Sequence, residues 1–240
     1  MLLIKINKLC AMTRDCFIRD YKISNVVRKK QLIYIGIGVG AALVAITVGY
    51  LTTNIQDAPK VDSLALDFTY DDAFKNVGEN LKSNGIVMSA DLRFTDYKNA
   101  QICRNFFANP EMQKLVEYCA SADLHYGDKN FLGNLHMVGS PAAPKLVVVL
   151  IQSDPMISQL DQIKTVFDSV IDELVCTCWE EVKPGGYETV GDWIDALRDF
   201  HTGGDKPHSA SNALPLASKH LQIELTTNED GYLWELLLAR

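Results

Sequence analysis

The pattern of apolar and polar positions divides the chain into four parts: a basic tail over 1–31, an unbroken apolar run over 32–51, a polar linker over 52–69, and short elements of changing periodicity over 70–240. The run from Leu32 to Leu51 carries no charge. About 20 residues of helix rise about 30 Å, which is the thickness of a bilayer core. Tyr34 and Tyr50 fall near its ends, where amphipathic rings favour the headgroup region. The pattern predicts a transmembrane helix. A cleaved signal peptide is the alternative, but its apolar core is usually about 7 to 15 residues behind a short basic stretch. Gly36 and Gly40 form GxxxG, and Ala41, Ala45 and Gly49 repeat the four-residue spacing. These five small residues predict a helix face that a partner helix approaches closely. The run GIGVG lies inside the span with no strand before it, so it is not read as a dinucleotide loop.

Beyond the linker, Phe74, Val77 and Leu81 predict a helix over about 70–83. Alternation in Ile86, Met88, Ala90, Leu92 and Phe94, with Ser89, Asp91 and Arg93 between them, predicts a half-buried strand. Residues 97–122 read as helical, with a second helix starting at Pro110 and turning Met112, Leu115, Val116 and Cys119 inward. Residues 131–138 and 145–152 read as paired strands about the GSPAAP turn. The second is apolar on both faces and belongs at the centre of a sheet. Asp154-Pro155 predicts the start of a long helix carrying Met156, Leu160, Ile163, Phe167, Val170, Leu174 and Cys178, ended by Lys183-Pro184-Gly185-Gly186. Thr189 and Asp192 predict a capping box ahead of the stripe Trp193, Ile194, Leu197 and Phe200, which Gly203-Gly204 stops. Leu221, Ile223 and Leu225, a turn at 228–231, then Tyr232, Trp234, Leu236 and Leu238 predict a terminal hairpin. Together these predict an α+β fold: one N-terminal transmembrane helix, then a soluble domain with an antiparallel or mixed sheet of about five strands covered by helices.

Charge orients the chain. The formal net charge is -7, but residues 1–31 hold eight basic and two acidic side chains, a net +6 that leaves -13 for the remainder. The positive-inside rule places the tail in the cytosol or matrix and the acidic domain in the periplasm or intermembrane space of an inner membrane, bacterial or mitochondrial. An acidic domain repels phosphate backbones, so no nucleic-acid partner is expected. In the tail, Lys5, Lys8, Asp15, Arg19 and Lys22 share a helical face opposite Leu3, Ile6, Leu9, Cys10, Phe17 and Ile18. That pattern suits an amphipathic helix on a bilayer or partner, or a mitochondrial targeting segment. Of the cysteines beyond the span, Cys103 and Cys119 are the one pairing expected if that side is oxidising. Cys176 and Cys178, two apart on a helix, point to different faces and are expected as buried thiols. No Asn-X-Ser/Thr sequon follows the span, which argues against a glycosylated compartment.

Candidate chemistry is sparse, and no cofactor or metal is expected. The loop His201-Thr202-Gly203-Gly204-Asp205-Lys206-Pro207-His208 gathers two imidazoles and a carboxylate, making His201, Asp205 and His208 the best candidate site, although the spacing matches no zinc pattern. Ser121, Asp123 and His125 are close in sequence, but nothing specifies an oxyanion hole. Glu180, Glu181, Asp192, Asp195 and Asp199 are read as helix-surface charges, and Trp193 and Trp234 as core. The expected function is a non-enzymatic membrane-anchored subunit or assembly factor of a multiprotein inner-membrane complex. Its partners are the lipid bilayer and other membrane-protein subunits, met through the span and the domain. The alternatives are a membrane-anchored domain that binds a ligand or peptide, and an enzyme or metal protein built on the His201–Asp205–His208 loop.

Overall fold

The computed structural model describes residues 64–94, 103, 104, 106, 110–114, 116–127, 130–204 and 206–240. The predicted span, with Gly36, Gly40, Ala41, Ala45 and Gly49, and the basic tail lie outside the described residues. Among the described residues no helix is long and apolar enough to cross a membrane.

Helix α1 (Tyr70–Ser83) leads into two short strands, β1 (Ile86–Met88) and β2 (Leu92–Phe94), and a short helix α2 (Pro110–Lys114). Three long strands follow: β3 (Tyr118–Tyr126), β4 (Asn130–Gly139) and β5 (Pro144–Ser153). Then come helices α3 (Leu160–Leu174), α4 (Trp179–Val182) and α5 (Val190–Thr202), and strands β6 (His208–Ala210), β7 (Leu214–Leu216), β8 (Lys219–Asn228) and β9 (Gly231–Ala239). The strands form one antiparallel sheet in the order β1-β3-β4-β5-β9-β8-β6, with β2 on β3 and β7 on β8. The fold is therefore α+β, with β5 at its centre as its apolar sequence requires. Among the described residues nine strands replace the expected five or so: the strand expected over 86–94 is split into β1 and β2, β3 includes residues expected as helix, and β6 and β7 are three-residue edge strands too short to show a period.

One face of the sheet is roofed by α1, α3 and α5. Phe74, Val77 and Leu81 of α1, Ile163, Phe167 and Val170 of α3, and Trp193, Ile194 and Leu197 of α5 close over Leu135, Val149, Trp234 and Ile223. Trp193 and Trp234 are core residues, as expected. Thr189 and Asp192 form the predicted capping box: the Thr189 hydroxyl accepts from the Asp192 amide at 3.0 Å, and the Thr189 amide donates to Asp192 Oδ2 at 3.0 Å. Phe200 leaves the apolar stripe and is 57% exposed, with Lys206 Nζ over its ring.

Three predicted elements change. Residues 118–122 are strand, not helix; Ala120, Ala122 and Ser121 are weak strand formers, and pairing to both neighbours overrides that preference. Helix α2 is described over Pro110–Lys114; the side chains of Met112 and Leu115 lie outside the described residues, while Val116 and Cys119 are buried. The alternating strand at 86–94 is broken by a bulge. Met88 pairs with Leu124 and Leu92 with Ser121, so three residues oppose two. The extra residue reverses the faces: Ile86 and Met88 meet the main core, whereas Phe94 packs with the cluster on the sheet's other side. The long helix from Asp154 begins six residues late. Asp154 Oδ1 accepts from the amides of Met156 at 2.9 Å and Ser158 at 3.0 Å, a local turn that competes with helix. Ile157 sits at φ 53 and Met156 is 85% exposed. That helix also stops at Leu174, so Cys176 and Cys178 lie off it and form a disulfide with each other, not two buried thiols. The expected Cys103–Cys119 disulfide is present, although Cys119 comes from a strand.

Candidate functional site

The site follows from strand alternation. Residues that do not face the helices point to the second face of the sheet, and cross-strand register arranges them in rows. The first row, Cys119, Val138, Leu146, Ala239 and His220, is mostly apolar. The second runs Ser121, His136, Val148, Leu237 and Gln222. The third runs Asp123, Asn134, Leu150, Glu235, Glu224 and Ala210. Beyond it, Gln152, Leu233, Thr226 and His208 form a fourth. Phe94, Cys103, Phe106 and Val116 pack over the apolar part.

Four of the five histidines, His125, His136, His208 and His220, lie on this face. His136 is buried, its Nδ1 bonded to the Ser121 hydroxyl and its ring 4.9 Å from that of Phe106, and burial pushes its pKa down to about 4. Asn134 Nδ2 donates to Asp123 Oδ1 at 2.6 Å. Ser121, Asp123 and His125 thus share a face, but Ser121 and Asp123 bond to β4 neighbours and the three make no catalytic relay.

At the far side, Glu224 and Glu235 are direct cross-strand partners. Glu224 is 1% exposed and neither of its carboxylate oxygens has a hydrogen-bond partner; Gln222, also 1% exposed, has its Oε1 unpartnered. Burial, reinforced by Glu235, pushes Glu224 up to about 8, and burial pushes Glu235 up to about 7. The nearest cationic candidate is His208, whose Nε2 is 3.9 Å from Glu224 Oε2 and whose Nδ1 lies 3.0 Å from Thr226 Oγ1; burial lowers its pKa and favours the neutral ring. A carboxylate pair at such values, Glu224 buried and Glu235 partly so, can hold a proton near neutrality or receive a cation.

Of the predicted loop site, the structure places His201 and His208 on opposite faces of the sheet. His201 is buried on the helix side of the sheet, its Nδ1 2.9 Å from Ser209 Oγ and its Nε2 2.8 Å from Thr227 Oγ1. His208 precedes Ser209 in β6, so alternation turns it to the opposite face. Both nitrogens of His201 are occupied by hydroxyls, which makes it a structural clamp between α5, β6 and β8. Asp205 lies outside the described residues. Among the described residues no three His, Cys, Asp or Glu side chains converge on a metal-sized point. The helix carboxylates have ordinary work: Asp192 caps, Asp195 pairs with Lys164 at 2.6 Å and with Arg198 at 2.9 Å, and Asp199 pairs with Arg198 at 2.8 Å.

A groove of about 460 Å3 lies between α1 and the bulge, lined by Phe74, Gly78, Met88 and both signs of charge. Arg93, one of its cations, is tied to Asp71 and Asp91. Glu224, Glu235 and Gln222 were missed in the sequence. Their signal was present as the polar alternation 220, 222, 224, 226 and the turn at 229–230 that fixes the hairpin register. Comparison with protein families, with curated proteins and with solved structures finds no match to this chain.

Proposed function

We propose that this chain is a non-enzymatic, membrane-anchored subunit or assembly factor of a multiprotein inner-membrane complex, its acidic α+β domain in the periplasm or the intermembrane space. The observation that carries the reading is the disulfide pairing. Cys103 pairs with Cys119 and Cys176 with Cys178, and no free cysteine remains among the described residues. Disulfides persist on the oxidising side of such membranes and are rare in the reducing cytosol. The same side follows independently from the tail: eight Lys and Arg precede the Leu32–Leu51 span, and translocating them is costly. The small-residue face of the span supports helix partners in the membrane.

Protease protection in sealed spheroplasts or mitoplasts, with a tag at each end, tests the reading. Opening the outer compartment exposes the C-terminal tag and leaves the N-terminal tag shielded. Mild detergent extraction then yields a species larger than a monomer on native electrophoresis. A shielded C-terminal tag, a released soluble domain, or migration solely as a small monomer under several mild conditions overturns it.

A further inference from the structure

Buried polar atoms in folded proteins are paired, and one left unpaired forfeits its hydration with nothing in return. On the second face of the sheet, three such atoms, both oxygens of Glu224 and Oε1 of Gln222, stand unpaired beside a second carboxylate, Glu235. All are acceptors. Among the described residues neither carboxylate has an ion-pair partner other than His208, at 3.9 Å from Glu224. Apolar residues serve at the adjacent positions Leu150 and Leu237, so the sheet has no general need of carboxylates here.

We infer that Glu224, Glu235 and Gln222 form a binding site for a primary ammonium group, either of a free alkylamine or of a lysine side chain in a polypeptide. An ammonium carries three donors and no acceptor, which matches two carboxylates and an amide oxygen. A coordinated metal fits less well, because no three metal-binding side chains converge among the described residues. Glu235 and His208 are only partly buried and mark the side from which the ligand enters. Because burial holds both carboxyls partly protonated at pH 7, binding there expels protons. The inference goes beyond the proposed function and does not depend on the anchor or on which side of a membrane the domain lies.

The test uses the full-length chain in detergent micelles, titrated with n-butylammonium chloride and with N-acetyl-lysine methylamide against matched NaCl. The expected result is saturable heat, a melting temperature that rises with the logarithm of amine concentration, and heats that depend on buffer ionisation because protons are released. A response to the lysine derivative alone assigns the source to a polypeptide; a response to both admits free amines. The E224Q/E235Q variant keeps its circular dichroism spectrum and loses at least tenfold in affinity. Should that variant not fold, buffer-dependent proton release from the unmodified chain carries the test by itself. No saturable response to either amine, undiminished binding by E224Q/E235Q, or stoichiometric uptake of Mg2+, Ca2+, Mn2+ or Zn2+ that excludes the amines overturns the inference.

Discussion

Glu224 makes the stability of the domain depend on pH in the direction opposite to most carboxylates. Its folded value of about 8 and the value of about 7 for Glu235 both lie above the ordinary 4.5, so the native state holds more protons than the unfolded chain across that interval. Stability therefore falls as pH rises from about 4.5 to 8, and the loss is complete above the folded values. His208 faces Glu224 from β6 and is shifted down, so its own effect falls below pH 6.5 and leaves the window from 7 to 8.5 to the carboxylates. Thermal melts over that window, without amine, are expected to show a falling melting temperature for the native chain and a flat one for E224Q/E235Q. The gap at pH 8.5 corresponds to roughly 1–3 kcal/mol. A flat native profile would mean that the pair is hydrated and ordinary. The cross-strand pairing of these residues was legible, since the two-residue turn couples Asn228 to Gly231 and counting back reaches Glu224 and Glu235. Their burial was not, because it depends on what packs over the sheet from distant parts of the chain. His201 and His208 lie on opposite faces for a related reason: proximity along a loop says nothing about which face of the next strand each one meets.

Elements were legible where a period ran long enough to count. Helix α1 occupies the predicted 70–83, the capping box opens α5, and the terminal hairpin follows its alternation. Gly231 closes that hairpin at φ 127, where a Cβ would stand 2.3 Å from the Ser153 carbonyl, so no side chain is admitted there. The misreadings came where one residue changes the count. The alternation from Ile86 to Phe94 promised a single apolar face, yet the bulge at 89–91 splits it between the two faces of the sheet. The consequence is measurable. Leu92, 48% exposed, and Phe94, packed with the second cluster, share the face opposite Ile86. Urea unfolding is expected to show Leu92→Ser within about 0.5 kcal/mol of the native chain, while Phe94→Ala costs roughly 2 kcal/mol. Similar costs at both positions would contradict the reversal of faces.

At the scale of the whole molecule, the two disulfides do different work. Cys103–Cys119 closes a loop of 16 residues and ties the segment after β2 to the second face of the sheet, beside Val138, Leu146 and Val148. Loop-closure entropy alone assigns such a bridge about 3 kcal/mol, because the unfolded chain loses freedom that the folded chain never had. Cys176–Cys178 spans a separation of 2 residues at the junction of α3 and α4, so it removes little from the unfolded ensemble. The first bridge was the one pairing the sequence offered, on the condition of an oxidising side and between two helices, whereas Cys119 comes from a strand. The second was missed because a continued helix would have turned the two thiols apart. Replacing each pair with serine separates the contributions. C103S/C119S is expected to lower stability by about 3 kcal/mol, read as a falling melting temperature in full-length protein. C176S/C178S is expected to change it by less than about 1 kcal/mol, the scale of an ordinary surface substitution. Equal losses would place the importance of the second bridge in the folded state, where it would be fixing the exit of α3 toward Trp179 and the core beneath α5.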